Sequence, residues 1–186
     1  MTKSMKIPKH AKKVFTGKIF DVYHYDQKIF DGTTVTFEIL KRPNSLTTIP
    51  VVGNKIIIAK ERQPGMKTTY NLFGGRQEPN EKPLAGAKRE LLEEAGLKST
   101  QWKLFKEYRP YEKIDWSVFV YIAKNCKKVQ DQQLDAGEKI QIKEVSFDEF
   151  IDIALSDNFY SQELTLDLCK LKCNNKLNEF KKLLFK

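Results

Sequence analysis

The stretch from Gly75 to Leu97, GRQEPNEKPLAGAKRELLEEAGL, limits what this chain can fold into more than any other. It opens on the pair Gly74-Gly75, which marks a turn because glycine tolerates positive φ. Pro83 suits the first turn of a helix, where a missing N–H costs nothing. Leu84 to Ala95 are strong helix formers, and Gly96 stands where a helix C-terminal glycine belongs. The segment therefore reads as loop, helix, stop. Glu90, Glu93 and Glu94 fall at i, i+3 and i+4, on one face of that helix. Like charges at this spacing repel by roughly 0.2–0.5 kcal/mol per pair. Leu84, Ala87 and Leu91 form an apolar stripe on a neighbouring face, so the helix can pack while its carboxylates stay accessible.

Three glutamates on a helix face are often only a solvated surface. Clustered carboxylates also suit a hard divalent cation such as Mg2+, which takes oxygen ligands and is shared with substrate phosphates. The spacing of the whole segment favours the second reading. Gly75, five residues, Glu81, seven residues, then Arg89-Glu90-Leu91-Leu92-Glu93-Glu94-Ala95-Gly96-Leu97 matches every fixed position of the Nudix box. On these residues the chain resembles the Nudix hydrolases.

The resemblance implies an α/β/α sandwich and hydrolysis of a nucleoside diphosphate linked to another moiety. It implies Mg2+, with Mn2+ as a substitute, held by Glu90 and Glu94 and completed by the carbonyl of Gly74 or Gly75. Glu93 would be a further ligand or the holder of a coordinated water. Arg89 would position a box glutamate by an ion pair, and Glu81 would lie nearby. Beyond the box, Pro110 and the segment Glu138-Lys139-Ile140-Gln141-Ile142 resemble the ADP-ribose pyrophosphatases, which makes Glu138 the candidate base. Gly137 beside it would let that loop move. The catalytic candidates are thus Arg89, Glu93, Glu94 and Glu138.

The same resemblance points to ADP-ribose or a related nucleotide sugar, giving AMP and a sugar phosphate. It also points to a homodimer built through N-terminal strands. The chain departs from the subfamily at Arg62-Gln63-Pro64, at Asn71-Leu72-Phe73-Gly74-Gly75 and at Arg109-Pro110-Tyr111, where base and terminal ribose would be recognised. Arg62, Arg109 and Tyr111 are therefore substrate-binding candidates. Tyr70, Phe73 and Trp116 are further stacking candidates, although aromatic rings equally serve as core. Two other readings stand beside this one. The first is a pyrophosphohydrolase of dinucleoside polyphosphates or RNA 5′ ends, suggested by basic termini. The second is a non-catalytic nucleotide-binding regulator, which a complete box disfavours.

Composition narrows the setting. The chain has 186 residues, 40% hydrophobic and 11% aromatic, which suits one globular domain rather than a disordered chain. No apolar run approaches the roughly 20 residues of a membrane span, and the basic start lacks the apolar core of a secretory signal. Cys126, Cys169 and Cys173 show no paired metal spacing and read as reduced thiols, so a cytoplasmic protein is expected. The net charge of +9 is concentrated at the ends, with six lysines in 1–18 and six in 169–186. No aromatic–basic interleaving accompanies them, so nucleic acid is not an expected partner.

In chain order, residues 1–13 read as a basic, mobile N-terminus preceding one domain, 14–186. Strands are expected at Val22–Ile29 and Thr33–Leu40 around Asp31-Gly32, then at Ser45–Val52 and Lys55–Lys60 around Gly53-Asn54. Further strands are expected at Thr69–Phe73, Trp102–Tyr108, Trp116–Ile122 and Lys139–Val145. Ser146 with Glu149 forms a capping box for a helix over Phe147–Leu155, and one last helix runs from Ser161 toward the C-terminus. The layout is α+β: helices flanking a mixed sheet, with an N-terminal antiparallel extension.

Overall fold

The computed structural model describes residues 6–186. The central sheet contains β4 (Ser45–Val52), β5 (Lys55–Arg62), β6 (Thr69–Asn71), β8 (Gln101–Tyr108), β10 (Val118–Lys124) and β12 (Lys139–Val145). Its order is β12-β5-β4-β10-β8, with β6 on β5. β4 and β10 run parallel and the other neighbours antiparallel, so the sheet is mixed.

Strand alternation divides this sheet into two apolar faces. On β5, Ile56 and Ile58 point one way and Ile57 and Ala59 the other. The first face packs against α2 (Phe147–Ala154), α3 (Gln162–Cys173) and α4 (Leu177–Phe185) through Phe150, Leu164, Leu168 and Leu184. The second receives α1 (Pro83–Ala95) through Ala87, Leu91 and Ala95. Leu91 is fully buried, a burial worth about 1.5–3 kcal/mol. The result is the α/β/α sandwich with α1 alone on its side.

β4 and β5 pair only where their hairpin turns, at Val51–Ile56 and Val52–Lys55. Beyond it they splay, and residues 69–76 fill the gap. β6 pairs with β5, while Phe73 and Arg76 bridge to Thr48 and Ser45 of β4. The approach is close at Gly74, where φ is +151° and a Cβ would overlap the Leu46 carbonyl oxygen. This wedge brings the Gly-Gly turn beside α1.

A second sheet, β1-β2-β3-β9, joins β1 (Lys12–Thr16), β2 (Asp21–Lys28), β3 (Thr34–Lys41) and β9 (Ile114–Asp115). The Asp31 carboxylate accepts from the Thr33 N–H at 2.8 Å in the turn between β2 and β3. Of the N-terminal stretch expected to be mobile, residues 1–5 lie outside the described residues, and Lys12 and Lys13 begin β1. A short pair, β7 (Leu97–Lys98) and β11 (Lys127–Lys128), closes the far end of α1.

Several elements differ from the expectation. The last helix is two, because Asn175 adopts φ 56° and breaks the chain between α3 and α4. Asparagine reaches this left-handed region at low cost. Regular pairing in β6 stops at Asn71, since Phe73 bridges to β4 instead. β10 starts at Val118, after Ser117 N–H has donated to the Asn44 side chain at 2.9 Å. The capping box at Ser146 and Glu149 is formed in both directions.

Candidate active site

α1 starts at Pro83 without a side-chain cap and ends on Gly96, which is left-handed (φ 66°, ψ 19°) and donates to Leu91 and Leu92. The remaining carbonyls at that end are covered by the segment after β11. Gln133 N–H donates to Glu93 O at 2.7 Å, and Gln132 Nε2 donates to Glu94 O at 2.6 Å. The same segment runs on to Glu138, so the loop carrying the candidate base is tied to the helix carrying the carboxylates.

Arg89 organises the acidic face. Its Nε donates to Glu81 Oε1 at 3.1 Å and its Nη2 to Glu81 Oε2 at 3.2 Å. Nη1 donates to Glu90 Oε1 at 2.9 Å and to Glu93 Oε2 at 3.0 Å. The Glu81 carboxyl is held below its ordinary value by these bonds, and Arg89 is held more firmly charged by the same partner. Glu94 lies apart from Arg89 and accepts the Gly74 N–H at 2.7 Å. Burial pushes its carboxyl up to about 9, opposed by the Gly74 bond and assisted by Glu90, Glu138 and Glu61. Burial also raises Glu90, against the pull of Arg89. Glu138 is raised by burial, then by Asp135 and Glu61.

Glu94, Glu138, Glu61 and the Gly74-Gly75 turn line one cleft of about 670 Å³. Glu61 was not anticipated from the sequence. It stands near the end of β5, held by Asn71 Nδ2 at 3.0 Å and Gln63 Nε2 at 2.7 Å. Another wall of the cleft is Trp116, stacked on Tyr111 at 6.2 Å with an interplanar angle of 11°. The Arg42 guanidinium lies over Trp116 at 4.5 Å. Arg42 was also missed; its only sequence signal is a cation just before β4. Phe159 and Tyr160 complete an aromatic margin from the connection between α2 and α3.

The substrate-binding candidates separate. Tyr111 reaches the site through Trp116. Phe73 does not, because it is fully buried with Leu91, Ala95 and Ile57. Tyr70 packs on the core of the opposite face and accepts from Lys143 Nζ at 3.3 Å. Arg62 is exposed opposite Lys139, and Arg109 is paired with Glu107 at 2.9 Å; neither lines the cleft.

The donor set fits a hard cation. Arg89 occupies one oxygen each of Glu90 and Glu93, and Gly74 one oxygen of Glu94. The other oxygen of each has no protein donor among the described residues. Leu46 N–H takes the Gly75 carbonyl at 2.8 Å, leaving that of Gly74 as the better backbone ligand. Among the described residues, no three histidine, cysteine or acidic side chains come together closely enough to hold a metal ion by themselves. A cation here would draw on substrate and water oxygens as well, as Mg2+ commonly does.

A NUDIX domain profile matches residues 42–166. The chain belongs to the NUDIX family. It is a NUDIX hydrolase, acting on phosphoric anhydride bonds. It is 28% identical over 153 residues to an ADP-ribose pyrophosphatase of Bacillus subtilis (strain 168), covering 80% of this chain and 83% of the relative. It is 24% identical over 160 residues to a methanol dehydrogenase activator of Bacillus methanolicus, covering 84% and 86%. A solved structure described as an ADP compounds hydrolase shares the fold, with a TM-score of 0.70 and 18% identity, covering 94% of this chain and 100% of that one. No helix among the described residues of this hydrolase is long and apolar enough to cross a membrane.

Glu94 links the site to stability. Its folded-state value near 9 exceeds the ordinary 4.5, so the folded protein holds a proton that the unfolded chain releases. Stability of the metal-free protein therefore falls as pH rises between those values, and a cation replacing the proton restores it. Melting measured in EDTA should be lower at pH 8.5 than at pH 6.5, and Mg2+ should raise it more at pH 8.5. Glu94→Gln should remove most of this difference.

Proposed function

We propose that the protein hydrolyses the pyrophosphate bond of ADP-ribose or a related nucleotide sugar, releasing AMP and a sugar phosphate. One observation carries this reading: Glu94, Glu138 and the Gly74 turn face the same cleft, which an aromatic wall also lines. The likeness to the Bacillus subtilis enzyme, named for ADP-ribose, supports the choice of first substrate.

Glu90 and Glu94, with Glu93 and the Gly74 carbonyl, would hold Mg2+, with Mn2+ as a substitute. The cation supplies charge neutralisation at the phosphates and acidifies water. Arg89 keeps the glutamates in place by neutralising their mutual repulsion. Glu138 takes the proton of the attacking water; its raised affinity for a proton suits that role. The Trp116–Tyr111 stack, with Arg42, provides an apolar and cationic face for a nucleobase. The sheet β1-β2-β3-β9 leaves Val14, Phe15, Ile19 and Val35 exposed around it, and this apolar surface supports a homodimer.

Glu138→Gln should lower kcat by about 10²–10⁴-fold, and Glu94→Gln should abolish Mg2+-dependent turnover, both with the fold intact. Full activity of the Glu94 variant would sink the assignment. AMP plus a sugar phosphate is the expected product pair, and release of inorganic pyrophosphate would count against it. Sedimentation should find a dimer that Phe15→Asp dissociates; a monomeric wild type would refute that part.

A further inference from the structure

A second concavity, about 470 Å³, lies on the outer side of α1 and shares no lining residue with the catalytic cleft. Its apolar surface comes from Leu92 of α1, Leu97 of β7 and Trp102 of β8. Val129 adds a side chain that is 53% exposed. Lys88, Lys98 and Lys127 stand around it; Arg89 also lines it, with its guanidinium committed to Glu81, Glu90 and Glu93, and no acidic side chain does.

The lysines are arranged at a cost. Lys98 and Lys127 are direct partners in the antiparallel β7–β11 ladder. Directly opposed residues have close side chains, and like charges in that position destabilise the pair. The neighbouring Lys128 has a counter-charge, Asp131, at 3.1 Å. Lys88, Lys98 and Lys127 form no ion pair among the described residues. The Lys88 ammonium lies 5.9 Å from the Trp102 ring centroid, held over the indole rather than by a carboxylate. Exposed apolar surface and uncompensated positive charge thus occupy the same groove.

We propose that this groove is a binding site for a mononucleotide, separate from the catalytic cleft. The match is one of charge and shape. A phosphate monoester carries between about one and two negative charges, which answers the opposed lysines. An aromatic base answers the Trp102 and leucine surface. The volume falls within the range of about 300–1,000 Å³ usual for small-molecule sites. The inference is independent of which substrate the cleft takes.

AMP is the probe. Of the two tryptophans in the chain, Trp102 lines the groove and Trp116 the cleft, so a Trp116→Phe background reports the groove alone. Titrated in EDTA, AMP should change Trp102 emission saturably. Lys127→Gln should weaken that binding by at least about tenfold, the scale of losing a charge-assisted phosphate contact. Lys98→Glu should weaken it further while raising the melting temperature of the ligand-free protein, because it turns a like-charge ladder pair into an opposite one. No saturable change would overturn the proposal, as would affinity indifferent to both lysines or inorganic phosphate binding as tightly as AMP. A Lys98→Glu protein that loses self-association without any effect of AMP would also overturn it, by assigning the groove to a second copy.

Discussion

The bonds of Arg89 to Glu81, Glu90 and Glu93 are the contact on which the site depends. Without a cation between them, carboxylates one helical turn apart repel, and burial adds to the cost of charging them. One guanidinium answers three of them because its donors spread in a planar fork. It takes both oxygens of Glu81, in the loop, and only one each of Glu90 and Glu93, on the helix. The loop is thereby pinned to α1, and the helix carboxylates keep an oxygen directed elsewhere. Glu94, outside this network, is left with a backbone N–H and a raised affinity for a proton.

The frame around Arg89 makes that arrangement possible. The splay of β4 from β5 admits the 69–76 wedge, and Gly74 has no Cβ to collide with Leu46. Gly75 is similarly tight, since a Cβ there would meet the Glu90 carboxylate at 2.7 Å. Glutamines 130, 132 and 133 fasten the loop before β12 to the exposed carbonyls at the end of α1. A carboxylate on a loop, Glu138, thus reaches the same cleft as Glu94 on the helix.

The parts readable in the sequence were those written locally. Helix α1, its Pro83 start and Gly96 stop, the capping box at Ser146 and the strand periods all depend on residues a few positions apart. Of the partners of Arg89, only Glu93, four residues on, follows from helical spacing; an ion pair to Glu90 or Glu81 was implied by the family resemblance alone. Other features depend on where distant segments meet. Phe73 resembled a stacking residue beside the Gly-Gly turn, but the wedge turns it into the core against Leu91. Arg62 and Tyr70 lie close in sequence to cleft residues yet stand off the cleft, at the exposed end of β5 and against the opposite core. Glu61 and Arg42 belong to no motif. Their place follows from the ends of β5 and β4 opening onto one cleft, a consequence of sheet order rather than of any local pattern.

If Arg89 works by holding carboxylates in register, removing it should weaken the binding of a cation even though it removes a positive charge. A titration of Mn2+ followed by electron paramagnetic resonance, comparing the wild type with Arg89→Met, separates the two effects. Positioning predicts weaker Mn2+ binding in the variant at neutral pH, with the fold retained. Tighter binding, the outcome expected if Arg89 only competed with the metal for negative charge, would contradict the account.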